Sequence, residues 1–153
     1  LRQEAHEPVR HVDLDNQFGH PRVWLGDGVQ LLLPARPGGR GIAWPERLDH
    51  YKVYRVLDCS AFQPVDVHLE DEFGKRGVRL NAVVGVAVPV AKKAGREQTR
   101  ISNEYAHLTI YRMAPSPVRR EMRFVDQFGS HALRAPRAEA LAVPSVKVKW
   151  SMA

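Results

Sequence analysis

The chain has 153 residues, which suits one domain or two small ones that share a core. Its hydrophobic content of 44% excludes a disordered chain, and no apolar run is long enough to predict a membrane span. The single cysteine excludes an intramolecular disulfide, and the seven histidines show no metal-binding spacing, so we expect no metal or cofactor.

The net charge of +6 is concentrated towards the C-terminus. From Arg112 onward there are eight basic and three acidic residues, so this part carries +5 and the first 111 residues only +1. A basic end can attract nucleic acid, an anionic glycan or an acidic partner, although solvent-facing strand positions are the plainer interpretation. The candidate anion-binding residues are Arg119, Arg120, Arg123, Arg134, Arg137, Lys147 and Lys149.

One tetrapeptide recurs at a constant interval. Residues 16–19 (Asn-Gln-Phe-Gly), 71–74 (Asp-Glu-Phe-Gly) and 126–129 (Asp-Gln-Phe-Gly) follow one another at a spacing of 55. An apolar step that ends in proline keeps the same interval, at Pro34, Pro89 and Pro144. A fixed period of this length predicts a repeat architecture. The expected organisation is a loose end at 1–8, β repeats at 9–63 and 64–118, and a partial β repeat at 119–153.

The repeats show the same succession of short segments, which we name A, B, C and, in the first two repeats only, D. Segment A is clearest where Val65, Val67 and Leu69 alternate with polar residues, a pattern typical of a strand with one buried face. B and C are separated by predicted turns at 26–28, 81–82 and 136–137, and proline ends C. D covers 50–56 and 107–113. No helical period is sustained, so we predict an all-β fold of tandem repeats of about 55 residues, with short antiparallel strands in a sandwich or small barrels.

The Phe-Gly motif is predicted to form a structural turn after segment A. Its first residue, Asn or Asp, can accept a hydrogen bond from the nearby backbone, and its glycine can adopt a positive φ. The phenylalanine is expected in the core, because burial is the commoner fate of an aromatic side chain. The predicted turn residues are Phe18, Gly19, Phe73, Gly74, Phe128 and Gly129. Glu139 replaces the first inward residue of the third C segment, so we expect the third repeat to be the least well packed.

These motifs resemble an uncharacterised group of secreted bacterial repeat proteins, whose units carry Asp-Gln-Phe-Gly, a Leu-Cys-x-Pro step and a His-x-x-Cys-Tyr-Lys strand. The three Phe-Gly tetrapeptides match the first motif, and residues 31–34, 86–89 and 141–144 match the second without its cysteine. Residues 50–55 and 107–112 match the third, again without cysteine. The resemblance covers most of the chain from Val9 onward, and it implies secretion and no established activity.

The resemblance also implies two neighbouring pairs. The cysteine positions of the group fall on Leu32 and Val53 in the first repeat and on Ala87 and Ile110 in the second. Both partners of each implied bridge are replaced together by apolar residues. We therefore expect Leu32 to lie near Val53, and Ala87 near Ile110, in a repeat that has core burial in place of a crosslink.

No catalytic pattern is visible. The sequence has no Gly-rich phosphate loop, no Gly-x-Ser-x-Gly and no Cys-x-x-Cys. Cys59 follows Asp58, which raises a thiol pKa, so we do not expect a nucleophile there. His50 and His107, at equivalent positions, are expected to hydrogen-bond within the sheet.

We therefore expect a non-enzymatic structural or interaction protein of the cell surface or extracellular space that self-associates or binds another surface protein. The alternative is a binding module for an anionic polymer, which would use the basic C-terminal third. The chain does not begin with Met, so we expect a processed or partial product.

The strand inventory is unbalanced, because D occurs twice and the other segments three times. Residues 146–150 alternate valine and lysine and end in Trp150, which predicts one more strand. Two resolutions are open. Either this tail pairs within the chain as a shortened D, with Lys147 and Lys149 facing water, or a strand from another copy fills the gap.

Overall fold

The computed structural model describes residues 7–39, 41–60, 62–71 and 74–152, without the side chains of 118–120, 135, 136, 150 and 152. Within these ranges the chain forms ten strands and no helix, which confirms the predicted all-β class. The strands are β1 (Arg10–Asp15), β2 (Arg22–Leu32), β3 (Arg36–Pro37), β4 (His50–Ser60), β5 (Val65–Asp71), β6 (Gly74–Val90), β7 (Lys92–Ala94), β8 (Glu97–Thr99), β9 (Ala106–Asp126) and β10 (Gly129–Met152).

Six strands close into a ring. The order is β9-β10-β1-β2-β4-β6, β6 pairs again with β9, and every pairing is antiparallel. This closed sheet is the small-barrel form of the predicted architecture. Outside the ring, β5 pairs with the first part of β6, β3 pairs with two residues of β9, and β7 and β8 form a separate hairpin.

The predicted turns between B and C are wrong, because both segments belong to one continuous strand in each repeat. Irregularities replace the turns: the register shifts between Leu25 and Gly28 in β2 and between Leu80 and Ala82 in β6. The third lies between Ala135 and Arg137 in β10. A bulge accommodates an extra residue while the strand continues, and it bends the strand and increases its twist.

Proline ends segment C in two repeats but not in the third. Pro34 follows β2 and Pro89 is the penultimate residue of β6, whereas Pro144 lies within β10. Among the described residues, the edge of β10 away from β9 has no partner until Val146, where β1 begins to pair with it. Proline is tolerated where its missing N–H faces an unpaired edge, so the strand can continue through this position.

The three Phe-Gly hairpins have the same register. Val12 opposes Val23 in the first, Val67 opposes Val78 in the second, and Met122 opposes Leu133 in the third. The hairpins differ in burial. The first two supply core residues such as Val23 and Leu80, both 0% exposed, but Leu133 is 52% exposed. At this position the third hairpin is therefore less buried than the first two.

The tail at 146–150 is a strand, and it pairs within the chain. Val146 to Met152 of β10 pair with β1 and close the ring. Lys147 and Lys149 were both predicted to face water, which is right only for Lys149, because Lys147 is half-buried. The alternating valines are themselves exposed, Val146 by 55% and Val148 by 65%. The β1–β10 register shifts between Asp13 and Leu14, and a shift of one residue exchanges the two faces of a strand.

The cysteine positions implied by the resemblance lie on neighbouring strands but do not oppose each other. Leu32 pairs with Tyr51 and Ala87 with Leu108, so both implied pairs are two residues out of register. The replacements at Val53 and Ala87 instead oppose each other between β4 and β6, at 3% and 0% exposure.

The N-terminal end is anchored at Glu7, which the sequence placed in a loose segment. Its carboxylate accepts hydrogen bonds from the Lys52 ammonium and, at 2.9 Å, from the Gly28 N–H, and these bonds lower its pKa. Its own N–H donates to Asp27 at 3.0 Å. Glu7 therefore fastens the chain to the irregular part of β2. The predicted loose residues 1–6 lie outside the described ranges.

Candidate anion-binding surface

The Phe-Gly turns form as predicted at both ends of the chain. The Asn16 side-chain oxygen accepts a hydrogen bond from the Phe18 N–H at 2.9 Å, and Asp126 accepts one from the Phe128 N–H at 2.7 Å. The glycines have positive φ: 126° at Gly19, 129° at Gly74 and 122° at Gly129. Phe73 lies outside the described residues.

The phenylalanines of these turns have different surroundings. Phe18 is half-buried and meets the Tyr111 ring edge-on, with centroids 5.6 Å apart. Phe128 is 70% exposed, so its predicted burial is wrong. The third hairpin extends from the ring strands, and its turn packs against little apolar surface. The same motif therefore anchors one turn to the core and presents an aromatic ring to solvent in another.

We expect Phe18→Ala and Phe128→Ala to differ clearly in stability. Loss of the Phe18 ring should cost about 2–3 kcal/mol, somewhat less than full burial would give. Loss of the exposed Phe128 ring should change the unfolding free energy by no more than about 0.5 kcal/mol. Urea denaturation of the two variants measures both values, and each serves as the control for the other. Equal losses would show that the two turns are packed alike.

The predicted basic residues are divided between two places. Arg123, Arg134 and Arg137 are exposed on the hairpin formed by residues 116–138 of β9 and β10, which we call the basic arm. Arg119 and Arg120 lie on the same arm, but their side chains are not described. Lys147 and Lys149 lie on the later part of β10, which pairs with β1, and do not belong to this surface.

The arm carries five basic and two acidic residues. Arg123 forms an ion pair with Glu121 at 3.3 Å, and Arg137 with Glu139 at 2.6 Å. All four side chains are at least half exposed. Ion pairs this exposed contribute little free energy, so an anionic ligand can compete with them for the guanidinium groups.

A groove of about 560 Å³ lies between the arm and the β3 segment. Arg36 lines it from the β3 side, and Arg123, Phe124 and His131 line it from the arm. The backbone joins the two sides, because the Gly38 N–H donates to the Arg123 carbonyl at 2.8 Å. Two arginines and a histidine are therefore among the residues that line one opening.

Arg36 is held in place by its neighbours. Its guanidinium lies over the Trp44 ring, 5.4 Å from the centroid. It also donates to the carbonyls of Pro37 and Gly39 at 3.4 and 3.3 Å. Stacking on an aromatic ring orients the planar donor fork of arginine, which suits it to bind carboxylate, sulfate or phosphate groups.

Asp126, one of the two acids of the arm, is hydrogen-bonded within its turn. Burial would raise the pKa of Asp126, but hydrogen bonds from His131 at 3.0 Å and from the Phe128 N–H outweigh it and lower the pKa. The His131 ring also stacks on Phe124, with centroids 5.0 Å apart. Asp126 is therefore a charged turn residue whose charge His131 offsets when protonated.

A basic residue from the middle of the chain, Lys92, contacts the tip of the arm, and other basic residues lie near it in the sequence. The Lys92 ammonium donates to the Gln127 side chain and lies 6.0 Å from the Phe128 ring centroid. Lys93, Arg96 and Arg100 are exposed on or beside the β7–β8 hairpin that Lys92 begins. The charge count from Arg112 onward did not include these residues or Arg36, because they lie earlier in the chain. The Gly, Arg and Lys content of the segments that hold them was the one available signal.

A largely buried polar cluster joins Asn16, Thr109, Tyr111 and Ser145, and no sequence pattern predicted it. The Asn16 amide donates to Tyr111 at 2.8 Å, to Ser145 at 3.2 Å and to Thr109 at 3.3 Å. The Thr109 and Ser145 hydroxyls are 2.6 Å apart, and Ser145 donates to the Val143 carbonyl at 3.0 Å. These hydrogen bonds satisfy the cluster and hold the first turn against the core.

The surroundings of Cys59 disfavour its thiolate form. Burial, followed by the nearby Asp58 carboxylate, raises the pKa of the half-buried Cys59 thiol, which opposes thiolate formation. Within the described ranges, no group of three or more His, Cys, Asp or Glu side chains could hold a metal ion.

His107 makes stability depend on pH. Burial lowers its pKa, partly offset by the Tyr105 carbonyl 3.3 Å from Nδ1, and Lys147 lowers it further. The unfolded state, with a histidine pKa of about 6.5, then binds more protons, so stability is lost as pH falls from about 6.5 through the lowered value. We expect His107→Gln to lose less unfolding free energy than the wild type between pH 7.5 and 5.5. The exposed His68→Gln is the control, and identical pH profiles would reject the assignment.

A family model described as "Repeat of unknown function (DUF7450)" matches residues 1–144. The chain belongs to this family. Searches of curated proteins and of solved structures gave no significant match. Membership agrees with the uncharacterised repeat group that the motifs suggested, and DUF7450 carries no assigned activity. In the described part of the chain, no helix is long and apolar enough to cross a membrane.

Proposed function

We propose that this DUF7450 protein is a non-enzymatic interaction protein that binds an anionic polymer along its basic arm. One observation carries the proposal: Arg36 and Arg123 line the two sides of a groove that also exposes His131. Arg134 and Arg137 continue the positive charge along the same hairpin. An extended array of guanidinium groups matches a polymer with repeated sulfate, carboxylate or phosphate groups better than a single small anion.

The absence of catalysis is part of this proposal. The buried hydroxyls of Thr109 and Ser145 already bond to each other and to the Asn16 amide. No carboxylate or imidazole is among the hydrogen-bond partners described for this cluster, and a nucleophilic hydroxyl needs such a base. The cluster is better suited to fixing the turn than to attacking a substrate.

The repeat organisation and the location are also proposals. The common register of the three hairpins supports tandem units of about 55 residues, because each opposed pair recurs 55 positions later. A place at the cell surface or in the extracellular space rests on the resemblance of the motifs to secreted repeat proteins. Anionic glycans are abundant ligands in that setting, which agrees with a basic binding surface.

Self-association, or binding to another surface protein, is the second candidate. The lining of a cleft of about 440 Å³ includes the apolar residues Leu48, Tyr105 and Val146, each at least half exposed. Val148 continues the exposed apolar surface along β10. Exposed apolar patches of this kind are typical of protein-binding surfaces.

Charge reversal on the arm tests the proposed function. We expect Arg123→Glu/Arg134→Glu to elute from immobilised heparin at markedly lower salt than the wild type, because two of the basic side chains then repel the polymer. Lys75→Glu/Arg79→Glu makes the same change of charge on the second hairpin. Its elution salt concentration should differ from that of the wild type by no more than about 10%. Equal decreases in elution salt for both variants would show that only the net charge of the protein determines retention. An unchanged elution salt for the arm variant would reject the arm as the binding site.

A further inference from the structure

The outer edges of the three hairpins differ in whether another strand of the chain pairs with them. The A strand of the first hairpin, β1, is covered by residues 146–152 of β10. The A strand of the third hairpin, the end of β9, is covered by β3. The A strand of the second hairpin is β5, and among the described residues it pairs only with β6. Two of three equivalent edges therefore hold an added antiparallel strand.

The two covered edges are covered at equivalent positions. Leu14 and Asp15 of β1 oppose Lys147 and Val146. The residues 110 positions later, Phe124 and Val125, oppose Pro37 and Arg36. Each added strand carries a basic residue here, at adjacent positions: Lys147 opposes Leu14, whereas Arg36 opposes Val125, the equivalent of Asp15. The corresponding positions on β5 are Leu69 and Glu70, so a basic residue placed as Arg36 is would meet the acid.

The side chains of β5 suit a basic strand and oppose a second copy of β5. Asp66 and Glu70 are 75% and 70% exposed, and each forms an exposed ion pair with β6, Asp66 with Arg79 at 2.9 Å and Glu70 with Lys75 at 3.2 Å. Such pairs are weak enough for lysines of an added strand to share the carboxylates. Two β5 edges side by side would instead bring acids together, which is unfavourable.

We infer that the outer edge of β5 is an acceptor for an extended, lysine- or arginine-bearing strand of another protein, added antiparallel to Val65–Asp71. Backbone N–H and C=O groups along a strand edge provide the affinity, and alternate side chains provide the selectivity. The chain's own strand at 146–152 is the internal example of such a ligand, with Lys149 opposite Asp13 of β1. This surface is distinct from the basic arm and takes a partner of the opposite charge.

The test uses a fluorescent peptide with the sequence of residues 145–151, Ser-Val-Lys-Val-Lys-Trp-Ser, and the intact protein. We expect saturable binding by anisotropy, with slower amide exchange in β5. Asp66→Lys/Glu70→Lys should weaken binding by about tenfold or more, and the milder Asp66→Asn/Glu70→Gln less. Glu97→Lys/Glu104→Lys, at exposed sites elsewhere, should leave affinity within about twofold.

Three outcomes would overturn the inference. The first is no saturable binding by the wild-type protein, or undiminished binding by an Asp66→Lys/Glu70→Lys variant that remains folded by circular dichroism. The second is exchange protection in β1 rather than β5, which would show that the peptide only displaces the chain's own tail. The third is concentration-dependent association of the free protein that the Asp66→Lys/Glu70→Lys change abolishes, which would make a second copy the occupant.

Discussion

Truncation after Pro144 is expected to abolish the stable monomer. It removes Ser145 from the buried cluster and the residues of β10 that pair with β1, so the ring opens and the outer edge of β1 loses its partner. Unpaired backbone and a broken core should cost about 5 kcal/mol or more, on the order of the whole stability of a domain this size. Circular dichroism and urea denaturation would show no cooperative transition.

A shorter truncation is the matched control for this result. Ending the chain after Trp150 removes only the pairs of Ser151 with His11 and of Met152 with Arg10. That product should remain folded, because strand ends contribute little. A soluble, monomeric and equally stable protein ending at Pro144 would show that β10 does not close the ring.

Tyr111→Ala is expected to be the most damaging single substitution in the core. Tyr111 is 1% exposed, and its ring contacts those of Phe18 and Phe62 at centroid distances of 5.6 and 5.3 Å. Its hydroxyl accepts the 2.8 Å hydrogen bond from Asn16, and burial raises its pKa, so it stays protonated. Removing the ring should cost about 3–5 kcal/mol.

Tyr111→Phe separates the ring from the hydroxyl. It keeps the aromatic packing and removes one hydrogen bond to Asn16, which should cost about 1 kcal/mol. Denaturant midpoints of the two variants give the difference. A loss from Tyr111→Phe as large as that from Tyr111→Ala would show that the polar cluster, rather than the packing of the ring, holds this part of the core together.

The sequence predicted those parts of the fold that depend on local pattern. The alternation of Val65, Val67 and Leu69 predicted β5, and the Asn and Asp side chains predicted the turns. The bulges were not predictable in the same way, because residues such as Gly26 and Asn81 suit a turn as well as an irregular strand. The tail strand was predicted, but its facing depended on a register shift in the distant β1.

The candidate site was predicted only in part. Charge counting found Arg123 and Arg134, which lie on the arm itself. It could not find Arg36, because the pairing of β3 with β9 joins residues about 90 positions apart in the sequence. It also grouped Lys147 and Lys149 with the arm, although β10 continues through Pro144 into a different pairing. Charge patterns report composition, whereas a binding surface depends on long-range contacts.

The salt dependence of polymer binding tests the central claim most directly. With a labelled single-stranded polyanion, the logarithm of the association constant should fall linearly with the logarithm of salt concentration. Each lost phosphate contact should reduce the slope by about one, so Arg123→Glu/Arg134→Glu should reduce it by about two. Lys75→Glu/Arg79→Glu should keep the wild-type slope. A slope unchanged by the arm variant, or reduced equally by both, would contradict binding along the arm.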